Sequence, residues 1–208
     1  MPQKSGDGAT LVHLDDPTRA LVQLSAALAS GSEDDVRNAL HRAKEPTPHD
    51  WIEELLLQTY LFAGFPRALN GMREWRRLSP TPAANTVSPN DAPVADGEDT
   101  CARVYGAMYE RLRHNIAALH PRLDEWMIAE GYGKVLSRPG LDLGRRELCI
   151  VAACAATGQD RQLQSHLHGA QNAGVPDAVI GAAVASLRGL IAADLLDRAE
   201  RLWAKVAA

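Results

Sequence analysis

The stretch LDLGRRELCIVAACAATGQDRQLQSHLHGAQNAG, residues 141–174, decides the fold. Asp142 can cap the free N–H groups of a helix start, and the almost uninterrupted apolar segment over residues 148–156 makes the helix that follows one buried on nearly every side. Gly158 supplies the left-handed residue that commonly ends a helix, and a second helix is predicted from about Asp160 to Ala173, ended by Gly174. On that second helix Leu163, His166, Leu167, Ala170 and Ala173 recur at helical spacing, which turns His166 inward along the apolar stripe. His168, two residues on, faces nearly the opposite way. The stretch therefore reads as a helical hairpin with Glu147 on one arm and His166 on the other.

Working outward, the same punctuation recurs. Asp16 and Pro17 read as an N-cap and first-turn proline, opening a helix that runs to Gly31. Ser32 and Asp35 are spaced as a capping box for the next helix, and Thr47-Pro48 opens a third that reaches Phe62. Gly64 breaks it, and Pro66 starts another that ends near Leu78. Residues 79–98 change character to SPTPAANTVSPNDAPVADGE, with four prolines and no aromatic residue, which reads as a linker. A long amphipathic helix is predicted over residues 100–119 and a shorter one from Pro121 to Gly131. A turn at residues 137–140 follows, and after the opening stretch two more helices begin near Pro176 and Ala192. No segment alternates as a strand does, so the fold class is all-α.

The chain has 208 residues, 46% hydrophobic and 23% charged, enough for one sizeable core or two small ones. A net charge of −4 gives no general footprint for nucleic acid or an anionic membrane, and the arginines at 73, 76 and 77 read as a solvated helix face. No stretch approaches the ~18 apolar residues of a membrane span, and the amino terminus lacks the apolar core of a signal peptide, so the cytoplasm is the expected location. Cys101, Cys149 and Cys154 lack metal spacing and read as small core residues.

Shifting the sequence against itself by 127 positions aligns residues 18–43 with residues 145–170 without a gap, matching Leu21 to Leu148, Gly31 to Gly158 and His41 to His168. A one-residue slip then pairs Pro48 with Pro176 and Trp75 with Trp203. The chain thus reads as two degenerate tandem repeats, an amino-terminal one over 1–78 and a carboxy-terminal one over 100–208, joined by the Pro-rich linker at 79–99. Where the second repeat has Glu147 and His166, the first has Ala20 and Ala39, so any chemistry of that pair belongs to the second.

With these residues in place, GKVLSRPGLDLGRRELCIVAACAATGQDRQLQSHLHGAQNAGVP resembles the carboxymuconolactone decarboxylase family of the alkylhydroperoxidase D-like superfamily. ELLLQTYLFAGFPRALNGMREW, in the first repeat, resembles the segment after the family's core hairpin. The resemblance implies an AhpD-like all-helical fold and a homo-oligomer, a trimer being favoured for two-repeat chains. The superfamily's peroxidases carry Cys-x-x-Cys starting twelve residues after a glutamate, then a histidine four beyond the second cysteine. Here Glu147 and His166 stand in register while the cysteine positions are Gln159 and Gln162. An amide cannot replace a thiolate nucleophile, so Cys-x-x-Cys peroxidase chemistry is not expected. The decarboxylase branch needs no thiol, metal or organic cofactor; its decarboxylases tend to carry serine where this chain has Glu147, a departure that bears on the substrate.

The leading expectation is an enzyme acting on a small carboxylate or lactone, with His166 as general acid/base and Glu147 orienting it or sharing the proton. Arg138, Arg145 and Arg146, near the start of the Glu147 helix, would grip the anionic substrate. The bland alternatives are a core histidine bonded to backbone and a carboxylate paired with Arg145, Arg146 or Arg19. His166-Leu167-His168 is a poor metal site, since positions i and i+2 diverge on a helix. The competing functional readings are a non-catalytic oligomeric scaffold and a residual peroxidase, the latter requiring Cys149 or Cys154 to reach the pocket.

Overall fold

The computed structural model describes residues 13–80 and 94–208, and among these every regular element is helical. In chain order the helices are α1 (Asp16–Ser30), α2 (Glu33–Lys44), α3 (His49–Ala63), α4 (Phe65–Leu78) and α5 (Val94–Tyr105). A 3-10 turn (Gly106–Met108) leads into α6 (Tyr109–Leu119) and α7 (Pro121–Trp126), and a π-helix spans Met127–Leu136. Then follow α8 (Leu143–Thr157), α9 (Asp160–Asn172), α10 (Asp177–Ala185) and α11 (Ala193–Val206).

The local signals account for most boundaries. Asp142 accepts from the Arg145 N–H at the start of α8, and Gly158 closes that helix at φ 67°. Ser32 and Asp35 form the reciprocal capping box of α2. At α1 the cap is Asp15, one residue earlier than the sequence indicates: its Oδ1 accepts from the Thr18 N–H at 2.8 Å, and Asp16 is already helical.

The central helix α8 is apolar because α1, α3, α9, α10 and α11 all pack on it. Thirteen of its residues, from Gly144 to Ala156, are buried. Two side-chain bonds tie it to α1: Ser25 Oγ donates to the Cys149 carbonyl at 2.6 Å, and Arg145 Nε donates to Thr18 Oγ1 at 2.9 Å. Thr18 and Arg145 are the matched first positions of the two aligned stretches. Leu21, Leu24, Leu40, Ile52, Leu55 and Trp75 form the core of α1–α4, and Cys149 of α8 enters it. The larger core is built from α8 to α11 together with residues of α5 and the π-helix.

Two sequence expectations change in the middle of the chain. The linker expected at 79–99 falls largely on residues 81–93, outside the described residues, but α5 already begins at Val94 rather than at Thr100. The single long helix expected over 100–119 is broken at Gly106, whose φ of 51° is open to a residue without a Cβ. The break turns α6 away from the core, and neither α6 nor α7 has a buried residue. The helix expected to end at Gly131 continues as the π-helix to Leu136. It packs against α5 through a close approach: a Cβ on Gly97 would lie 2.6 Å from the Ile128 carbonyl and 2.9 Å from the Cα of Gly133.

Candidate acid/base site

Glu147 and His166 meet across the α8–α9 hairpin. The Nδ1 of His166 lies 2.8 Å from Oε2 of Glu147, with Glu147 fully buried and His166 5% exposed. Neither bland reading of the pair holds: the partner of His166 is a carboxylate rather than a carbonyl, and that of Glu147 is an imidazole rather than an arginine. The other carboxylate oxygen, Oε1, is buried and has no hydrogen-bond partner among the described residues.

The surroundings are apolar and come from both ends of the chain. The ring of Phe62 of α3 packs at right angles to that of His166, with centroids 5.7 Å apart and planes at 86°. Gly169, one turn beyond His166, leaves room for the carboxylate: a Cβ there would lie 2.5 Å from Glu147 Oε2 and 2.8 Å from Val104 Cγ1. Behind Val104, Tyr105 meets Tyr132 of the π-helix edge to face. Burial pushes the Tyr105 hydroxyl up to about 12, reinforced by the negative charge of Glu147, so it stays a neutral phenol.

The three arginines singled out in the sequence sit on other networks: Arg138 and Arg146 share Glu54, whereas Arg145 is held separately by Asp142 and Asp15. Arg146 is fully buried; its guanidinium bonds Glu54 at 2.9 Å, Gln58 Oε1 at 3.3 Å and the carbonyls of Leu141 and Arg138 at 3.0 Å. Arg138 pairs with the same Glu54 carboxylate at 2.9 Å. Arg145 bonds Asp142 and Asp15 at 2.6 and 3.1 Å and lies over the Trp51 ring, 4.3 Å from its centroid. Neither Arg145 nor Arg146 bonds Glu147 or His166. Sequence reasoning missed Glu54, the carboxylate shared by Arg138 and Arg146; its signal was a carboxylate on the inward face of α3, two residues beyond Ile52.

Gln159 and Gln162 are exposed at the start of α9. Cys101, Cys149 and Cys154 are free and buried, and burial pushes each thiol up to about 12. Among the described residues no helix is long and apolar enough to cross a membrane, and no group of three or more His, Cys, Asp or Glu is placed to hold a metal ion.

Fold and site define an all-helical protein whose core hairpin buries a carboxylate–imidazole pair. The carboxymuconolactone decarboxylase family model matches residues 121–204, the part of the chain that carries both site residues. Peroxisomal protein 2 of Schizosaccharomyces pombe is 27% identical over 162 residues, covering 74% of this chain and 76% of that protein. Its alignment is too long to lie within residues 121–208 alone, so the likeness takes in part of the chain before α7.

Proposed function

We propose that the chain is a carboxymuconolactone decarboxylase-like enzyme that acts on a small carboxylate or lactone by general acid/base chemistry, without thiol redox. The observation that carries this reading is the 2.8 Å bond between His166 Nδ1 and Glu147 Oε2 in an apolar enclosure. With an ionised carboxylate as acceptor, Nδ1 carries the hydrogen and Nε2 is left to exchange a proton with substrate. Loss of CO2 from a lactone carboxylate breaks a C–C bond and leaves its electron pair in conjugation with the lactone carbonyl. A proton taken up from water at Nε2 and delivered by His166 to carbon completes the step and returns the imidazole to its neutral form. The unpartnered Oε1 of Glu147 offers an acceptor for a substrate or water donor.

In this reading Arg138, Arg145 and Arg146 are framework cations, because their bonds hold the start of α8 against α1 and α3. The exposed glutamines at 159 and 162 and the buried, protonated thiols support leaving thiol chemistry out. Two tandem repeats and a homo-oligomer, a trimer by resemblance, belong to the same proposal. Leu119, Leu123 and Trp126, 79%, 48% and 57% exposed on α6 and α7, supply apolar surface for assembly. Between the cytoplasm expected from the sequence and the compartment in the relative's name, cell fractionation decides.

A second reading, a non-catalytic oligomeric binding or scaffold protein, is favoured by the enclosure of the pair: Glu147 is 0% and His166 5% exposed. CO2 release from a panel of lactone carboxylates separates the two. Turnover that falls in His166→Gln supports the enzyme, whereas no turnover of any member by wild type supports the scaffold.

A further inference from the structure

A cleft of about 550 Å³ opens between α9 and the elbow formed by α5, the 3-10 turn and α6. Its volume lies within the range of about 300–1,000 Å³ usual for small-molecule sites. Val104, Met108 and Leu112 give it an apolar side; Arg111, Asn115 and His168 give it a polar one. None of its lining residues is acidic, although the chain carries a net charge of −4. Neither Arg111 nor His168 has a hydrogen bond or ion pair among the described residues. Arg111 differs in this from Arg138, Arg145 and Arg146, all of which are bonded internally.

The wall is fixed where the cleft approaches the acid/base pair. Asn172 Nδ2 donates to the Val104 carbonyl at 2.8 Å, tying α9 to the end of α5. The left-handed Gly106 packs against the same Asn172 side chain. Val104 lines the cleft on one side and on the other reaches the point where Gly169 makes room for the Glu147 carboxylate. Tyr105, the next wall residue, is close enough to Glu147 to feel its charge.

We infer that this cleft binds a small organic acid with a compact apolar body, Arg111 taking the carboxylate, His168 and Asn115 adding polar contacts, and Val104, Met108 and Leu112 covering the hydrocarbon. A guanidinium without internal partners at the edge of an apolar cleft offers two parallel donors that match a carboxylate. Glu147 and His166 lie behind the wall and do not line the cleft; that its ligand is the enzyme's substrate rests on the acid/base reading of that pair, whereas capture of an organic acid does not.

The test is titration of the full chain with benzoate and cyclohexanecarboxylate, followed by amide NMR and calorimetry, with benzamide as the neutral control. Saturable binding is expected for both acids, with shifts at residues of α6 and α9 that line the cleft. Binding is expected to weaken at least about tenfold with benzamide or in Arg111→Met, and to be unchanged in His166→Gln. Arg111 is exposed and makes no internal bond, so its replacement leaves the fold intact. Equal binding by Arg111→Met, equal binding of benzamide, or no saturable binding of either acid would overturn the inference. So would sedimentation and cross-linking that place a second copy in the cleft. Acid binding without turnover would retain the cleft and remove the acid/base reading; turnover without Arg111-dependent binding would do the reverse.

Discussion

His166 and Glu147, nineteen positions apart, join the two arms of the α8–α9 hairpin through one hydrogen bond of 2.8 Å, and that bond leaves Oε1 of the glutamate without a partner among the described residues. A buried carboxylate oxygen in that state is costly unless function or a proton compensates for it. Replacing Glu147 by an isosteric apolar residue, Glu147→Leu together with His166→Phe, is therefore expected to keep or raise stability while removing activity. Urea unfolding midpoints check this; a drop of several kcal/mol would mean that the pair is a structural brace.

Gly169 is the position at which the carboxylate has no spare room. The Cβ of Gly169→Ala would fall 2.5 Å from Oε2 of Glu147. Overpacking of this kind costs about 1–3 kcal/mol, and relief requires the carboxylate to move away from His166. The expected outcome is a destabilised protein whose His166 ring resonances no longer report a bonded Nδ1; unchanged stability and ring shifts would contradict the close approach.

Glu54 is shared by Arg138 and Arg146, and Arg146 is wholly buried. Glu54→Ala leaves that guanidinium uncompensated and is expected to cost about 3–5 kcal/mol in a denaturant titration. Coupled apolar replacement, Glu54→Leu with Arg146→Met, is expected to cost less than Glu54→Ala alone, because the unpaired charge goes too.

Asp15 caps α1 and faces Arg145 from α8. Burial opposes its ionisation, but the bonds from Thr18 and the Arg145 charge outweigh this and hold its carboxyl below the ordinary 3.8. A carboxyl depressed in the folded state stabilises the protein above its ordinary value, and the contribution is lost as pH falls through the folded value. Asp15→Asn keeps the cap but removes the charge. Its stability deficit against wild type is expected to be full at neutral pH and to shrink as pH drops below about 3.8; a deficit independent of pH would exclude the ion pair as its cause.

The thiols of Cys101, Cys149 and Cys154, raised to about 12 by burial, remain protonated at pH 8. Iodoacetamide at that pH is expected to label the native chain far more slowly than the urea-unfolded chain, and Cys154→Ser is expected to leave acid/base turnover in place. Rapid native labelling of Cys149 or Cys154 would reopen a peroxidase role.

Much of this was legible in residues 141–174 alone. The cap at Asp142, the left-handed Gly158 and the inward stripe through His166 are local signals, and each reappears in the structure. What the sequence concealed depends on long-range packing. Glu54, the partner of Arg138 and Arg146, and Thr18, a partner of Arg145, lie more than 80 positions away on α3 and α1, and only Asp142, three residues from Arg145, is a local sign that an arginine is already engaged. The break at Gly106 was hidden because a single glycine is tolerated in a helical pattern, and only the tertiary course of α6 shows that the chain turns there. The π-helical continuation to Leu136 likewise carries a long-range contact, the close seat of α5 at Gly97 and Gly133. Arg111 gave no signal because, as a lone cation on an amphipathic helix, it looks like any solvated residue.

The most direct test of the central claim is single-turnover CO2 release from lactone carboxylates by wild type, His166→Gln and Glu147→Gln, each confirmed folded by circular dichroism. Proton transfer by a positioned side chain contributes about 10²–10⁴-fold, so a loss of at least about 10²-fold is expected in His166→Gln, with a smaller loss in Glu147→Gln. Turnover equal to wild type in both variants would contradict the assignment of Glu147 and His166 as the acid/base centre.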